Sequence, residues 1–315
     1  MILAGPLWGY ALVLALAGPA ILTRARWTSR APMWGVLAWQ SLVVSIIAAT
    51  VLGALALVIP SDHYRDGIAH LLRACTTALT ARFGPSDAIA AWFGLAVAGT
   101  IVGSLTVATL ATMLVTARAR RRHQAALDLV AVRAAHPAMR LLPDSRVIGY
   151  CLPGRAPRVV ISTGAVATLR ADELNAVVQH ELAHLRGRHH LLVIAALIPR
   201  RAFGGIRVFA QAHREVARLV ELRADDVAAR SCGRPALARA IVRMATAATP
   251  AAEVLSSSGG SVVQRARRMA GPTLGLGVGG QGVATISILA PVVLPIVLLA
   301  VPLAGVFSAT SCPLT

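Results

Sequence analysis

The chain has 315 residues, 56% of them hydrophobic, and a formal net charge of +18. Its mean hydropathy of +0.68 is too high for an ordinary soluble domain, so membrane-spanning segments come first. All 31 basic residues are Arg; the densest cluster, at 118–122, has no interleaved aromatic residue, so no direct nucleic-acid binding is expected. Four Cys without C-x-x-C spacing exclude a thiolate metal site.

Three uncharged apolar runs open the chain, at residues 7–23, 34–60 and 88–117. Each is close to or above the roughly 17–25 residues of a spanning helix. No Arg precedes the first, so it does not read as a signal peptide. The loop "RARWTSR" after it carries three Arg and no acid. The loop before the third run balances three Arg with three Asp, and the third run ends in "RARRRH". From residue 118 to residue 278, 25 Arg stand against 10 acids. This asymmetry predicts a cytoplasmic middle segment, with both termini outside, in a multi-pass plasma-membrane protein. The Arg cluster at 118–122 reads as a juxtamembrane anchor to the lipid bilayer. A fourth apolar run spans 283–307. The expected organisation is a three-helix membrane region over residues 1–117, a cytoplasmic domain over 118–278, and a fourth helix with a short outer tail over 279–315.

Within the middle segment, "SRVIGYCLPGRAPRVVIST" predicts two short strands about a Pro-Gly turn. "ADELNAVVQHELAHL" places Leu174, Val177, Val178 and Leu185 on one helix face. Asp172 and Glu173 suit the positive end of that helix. A second helix is expected over about residues 212–230. The run 191–198 is too short to span, and reads as core or interfacial. The Ser/Gly-rich stretches at 256–261 and 271–282 read as flexible connectors. Residues 256–271 are therefore a tethered, flexible target for self-cleavage.

His180-Glu181-Leu182-Ala183-His184 is an H-E-x-x-H pattern. On a helix, His at i and i+4 lie one turn apart and reach one ion. Glu181, offset by one residue, suits an acid that handles the attacking water. A catalytic zinc takes three protein ligands, and "ARLVELRADDVAAR" offers Glu221, one of only five Glu in the chain. Glu221 is the expected third ligand for one Zn2+ per chain. Asp225, one turn on, is expected to hold the outer N–H of a ligand histidine. Arg218 shares that face, and either pairs with the acids or polarises the substrate carbonyl. His189 and His190 are expected to end the first helix, where the dipole favours them, or to lie at the membrane surface. His213 is a candidate transition-state donor. The alternative for the whole cluster is a salt-bridged helix pair in solvent.

"HELAH" with "ELRAD" downstream resembles the E-x-x-x-D variety of H-E-x-x-H membrane metallopeptidases. These include heat-shock-type quality-control peptidases and BlaR/MecR-type transducers of beta-lactam resistance. Three spans before the motif and one after it resemble the second group. So do the segment "YCLPGRAPRVVISTGAVATL" and the continuation "HLRGRHHLL". The chain is similar to a short, actinobacterial-like form without the penicillin-binding sensor domain. The resemblance implies a four-helix membrane protein with an inserted α+β zincin of gluzincin type. It also implies self-cleavage or inactivation of a winged-helix DNA-binding repressor.

The expected activity is zinc-dependent endoproteolysis of a protein substrate. Glu181 acts as base, and one strand of the 147–162 hairpin aligns the substrate by strand addition. Three other readings compete: membrane-protein quality control, a non-catalytic scaffold braced by metal, and a transporter. Uncharged spans argue against the last. A homodimer is compatible with this organisation. Cys75 and Cys312 fall outside, where a disulfide between them would persist; Cys151 and Cys232 fall in the reducing cytoplasm.

Overall fold

The computed structural model describes residues 4–58, 85–133, 139–154, 156–248, 259–272 and 275–309. The chain starts with helix α1 (Ala4–Arg24), the short α2 (Arg26–Arg30) and α3 (Pro32–Ala56). Pro32 stands in the first turn of α3, where its missing N–H costs nothing. Next comes α4 (Pro85–Val130), 46 residues long. At 1.5 Å per residue it measures about 69 Å, more than twice the roughly 30 Å bilayer core. The expected boundary at residue 117 thus lies inside one continuous helix. Arg is a good helix former, so the cluster at 118–122 continues the helix instead of ending it.

Four strands follow: β1 (Val132–Arg133), β2 (Met139–Leu142), β3 (Gly149–Leu152) and β4 (Arg158–Ser162). The sheet order is β1-β2-β4-β3. β3 and β4 pair antiparallel, with Cys151 opposite Val159, whereas β2 runs parallel to β4. The Pro-Gly hairpin is present, and β1 and β2 add to it. β3 is an edge strand. Ser162 caps the short α5 (Thr163–Thr168), its hydroxyl accepting from the Ala165 N–H.

Helix α6 (Ala171–Arg186) has Asp172 and Glu173 in its first turn. Glu173 is fully buried; it accepts the Arg170 N–H at 3.1 Å and meets Arg243 at 3.3 Å. Then come α7 (His189–Ala202), α8 (Arg207–Cys232), α9 (Arg234–Ala248), α10 (Gly259–Ala270) and α11 (Val278–Ala309). Among the described residues, four helices are long and apolar enough to cross a membrane: α1, α3, the 88–130 part of α4, and the 278–298 part of α11.

Two expectations are corrected here. Residues 259–270 are not a flexible connector. They form α10, in which Val262, Ala266 and Met269 recur at helical spacing and pack on α9 and α8; Met269 is buried. The Ser/Gly-rich start masked that periodicity. His189 and His190 do not end a helix. α6 stops at Arg186, Arg188 takes a left-handed φ of 47°, and His189 opens α7. The proposed Cys75–Cys312 bond lies outside the described residues.

Two cores meet on α8. Its apolar face, including Phe209, Val216 and Leu219, packs on Val36, Trp39, Leu42 and Ile46 of α3. A Cβ on Gly35 would come within 2.9 Å of Leu219, so glycine sets the close approach of α3 to α8. Further along, Ala228 joins a second core with Ile161 of β4, Val177 of α6, and Leu237 and Ile241 of α9. The helix bearing the acidic motif is therefore wedged between an apolar candidate span and the sheet domain.

Candidate metal centre

α6 presents His180 and His184 toward α8, one turn apart. α8 presents Glu221 opposite them. His180 Nε2 lies 3.1 Å from His184 Nε2 and 3.5 Å from Glu221 Oε2. His184 Nε2 lies 3.4 Å from Glu221 Oε1. Tetrahedral zinc with bonds of about 2.0–2.2 Å spaces its ligands about 3.3–3.5 Å apart. The three side chains stand close to that spacing, 3.1–3.5 Å apart with one Glu221 oxygen facing each histidine, and they form a group able to hold a metal. The donor set, two imidazoles and one carboxylate, is one that zinc accepts. Glu221 keeps 41% of its side chain exposed, so the cluster is open on one side.

Each histidine is held from behind. Asp225, fully buried, places Oδ1 3.0 Å from His180 Nδ1. His184 has a different partner: its Nδ1 lies 3.2 Å from Nδ1 of His189, which is buried. With a metal on its Nε2, His184 would carry its proton on Nδ1 and donate it to the His189 lone pair. The sequence "HLRGRHH" explains this contact. A Cβ on Gly187 would meet the His189 ring at 2.4 Å, and the left-handed Arg188 folds His189 back onto α6. Reading His189 as a helix end hid this role; the five-residue step from His184 matches no single-helix spacing.

Arg265, from α10, was not anticipated either. Its Nε and Nη2 each donate to Asp225 at 2.7 Å, and its Nη1 lies 3.2 Å from Glu221. Nothing in the sequence links it to an acid 40 residues earlier. Arg218, on the other hand, is turned away. It pairs with Glu215 at 2.9 Å and donates to Ser29 at 3.2 Å, docking α8 on α2. His213 is two turns from Glu221 on α8, about 12 Å along the axis, and is not brought to the cluster.

Glu181 points to the other side of the His pair, beside Cys151 of edge strand β3. Burial raises Glu181 above the ordinary carboxylate range, against the pull of His180. Burial also pushes the Cys151 thiol up to about 12, with the Glu181 charge adding to it. A thiol held protonated donates to Glu181. Burial lowers His184 and His189 to about 4, so both are neutral near pH 7. Burial opposes charge on His180 too, but hydrogen bonds with Asp225 and Glu221 outweigh it and hold its pKa at about 9. Asp225 sits at about 2: burial opposes its charge, and Arg265 and His180 overcome that.

Two clefts flank Glu221. One, of about 430 Å3, lies among Cys151, His184, His189, Val193 and Val220. The other, of about 310 Å3, lies among Glu181, Arg265, Leu237, Ile241 and Met244.

The sequence profile of Peptidase family M48 matches residues 116–273, which contain every residue of this cluster. No curated protein and no solved structure matches the chain.

The metal-free pKa of His180 predicts a proton count. Below about 9 this histidine is protonated, so a binding metal must displace one proton; the already neutral His184 contributes none. Zinc affinity should therefore rise about tenfold per unit between about pH 6 and pH 8. Calorimetry in buffers of different ionisation enthalpy checks this, and an affinity flat with pH contradicts it. A second prediction concerns His189. His189→Ala should weaken zinc binding about 10- to 100-fold, whereas His189→Asn, which keeps an acceptor, should recover part of the loss. Competition with a chromophoric chelator measures both; equal affinity in wild type and His189→Ala would remove the residue from the site.

Proposed function

Because the chain belongs to Peptidase family M48, whose members are typically zinc-dependent metallopeptidases, we propose that it is a membrane-anchored endopeptidase acting at the cytoplasmic face. The observation that carries this reading is the convergence of His180, His184 and Glu221 within 3.1–3.5 Å of one another, with Glu181 beside them. Those three residues would hold one zinc ion, which supplies a water pKa near 7 and polarises the scissile carbonyl. Glu181 accepts the proton of the attacking water and delivers it to the leaving amine. Its raised pKa suits both halves of that transfer. A bracing metal site would not need this acid, which disfavours a scaffold role.

The substrate runs antiparallel or parallel to edge strand β3, its backbone pairing with the free edge between the two clefts. Apolar residues such as Val193, Val220, Leu237 and Ile241 line those clefts, so hydrophobic side chains next to the cut bond are favoured. Arg265 and Asp225 keep His180 oriented and balance the charge of Glu221.

The BlaR/MecR-type likeness supports a signalling role, through self-cleavage or inactivation of a winged-helix repressor. It rests on three spans before the motif, one after it, and the 150–169 segment. Self-cleavage at residues 259–270 would first require α10 to unwind and release Arg265. The apolar clefts favour the other reading, quality control of membrane proteins, since exposed hydrophobic segments mark damaged ones.

Glu181→Gln should keep zinc and lower peptide cleavage by about 100-fold or more. Glu221→Ala should lose the metal. Metal analysis and a peptide-cleavage assay on the purified full chain separate the two. Cleavage by Glu181→Gln at the wild-type rate would refute the assigned base. Proteomics of cells carrying wild type or Glu181→Gln then divides the roles: one or two accumulating cytoplasmic proteins mean signalling, and many membrane proteins mean quality control.

A further inference from the structure

A cavity of about 720 Å3 opens between α2, the C-terminal half of α8, and the junction of α10 with α11. It is separate from both clefts of the metal centre. Arg30, Arg223, Arg230, Arg234, Arg267 and Arg268 line it, and Asp226 is the sole carboxylate among the lining residues. Asp226 is already neutralised: both its oxygens accept from Arg268, at 2.5 and 2.8 Å. Arg30, Arg223, Arg230 and Arg267 have no ion-pair partner among the described residues.

Arg234 is fixed in place. Its Nη2 donates to the carbonyls of Arg268 and Gly271, at the end of α10. Its Nε is buried and meets no acceptor among the described residues. Like charges around one cavity repel each other, and a low-dielectric wall strengthens the repulsion. An anion accepting several guanidinium hydrogen bonds removes that cost. Phosphate oxygens match the planar fork of Arg.

The location names the source of the anion. Arg30 stands two residues before α3, and Gly275 stands three residues before α11. Both flanking helices are candidate membrane spans. The cavity therefore sits where two apolar helices emerge, the level of lipid headgroups. Basic pockets at such junctions suit anionic headgroups. We propose that this cavity binds a phosphate group, supplied by the headgroup of an anionic phospholipid. The bound phosphate bridges the α2 linker, α8 and α10.

The test uses the full-length protein in detergent, with phosphatidylglycerol or phosphatidylcholine added, read by native mass spectrometry. Wild type should retain phosphatidylglycerol in preference to phosphatidylcholine. Arg30→Gln with Arg267→Gln removes two exposed charges from the cavity and should weaken retention about 30-fold, roughly fivefold per Arg. Arg146→Gln with Arg186→Gln removes the same charge from exposed positions beside the sheet and at the end of α6, and should change retention by less than about twofold. A matching thermal transition shows that each variant is folded. Excess inorganic phosphate separates the sources. If it leaves the lipid in place, the site reads the headgroup; if it displaces the lipid and binds wild type but not the cavity variant, free phosphate is the ligand. Equal retention of the two lipids with no binding of inorganic phosphate, or equal loss in both double variants, would overturn the proposal. The readout is independent of cleavage, so an inactive peptidase leaves the result interpretable.

Discussion

Asp225 has no exposed surface, yet Arg265 and His180 together hold it ionised, both meeting its Oδ1. A buried charge of this kind is tolerated only while it stays paired; breaking such a pair costs about 3–5 kcal/mol. The constraint fixes three helices at once. α8 brings the carboxylate, α6 brings the histidine, and α10 brings the guanidinium. His180 Nδ1 is thereby committed to Asp225, which leaves Nε2 to face His184 and Glu221. Glu221, one turn before Asp225, also falls against Arg265. The geometry of the candidate metal centre follows from satisfying one carboxylate. The pair contributes orientation more than net stability, since the desolvation of both partners offsets most of their attraction.

What could be read from the sequence was what helical periodicity encodes. His180 and His184 are i and i+4, and Glu221 and Asp225 are i and i+4; each pair sits on one helix at the expected face. The long apolar runs were equally plain, because bilayer thickness sets a length that few other structures need. Contacts between distant segments were not legible. Arg265 lies 40 residues past Asp225, in a segment whose Ser/Gly-rich start obscured the apolar repeat of Val262, Ala266 and Met269. His189 reaches His184 only because Arg188 adopts a left-handed turn, which Arg rarely signals. The pairing of β1 and β2 rests on strands of two and four residues, too short for an alternation pattern to emerge. Arg218 shared the right helix and was nonetheless drawn away by Glu215 and Ser29.

α8 has two tasks on opposite sides. Leu219 and Val216 seat it on α3, while Glu221 and Asp225 face α6. The metal centre is thus coupled through one rigid helix to a candidate membrane span, with no flexible tether between them. α10 makes a second link, since it carries Arg265 and leads directly toward α11. The residues of the metal centre are thus joined to candidate membrane spans through both α8 and α10.

Zinc K-edge X-ray absorption on the metal-loaded full chain addresses the central claim. Only nitrogen and oxygen scatterers are expected, at about 2.0–2.2 Å, with the outer-shell pattern of two imidazoles from His180 and His184. A sulfur scatterer near 2.3 Å would make Cys151 a ligand, and a third imidazole would make His189 one. Either result would contradict the assignment of Glu221 and the roles built on it.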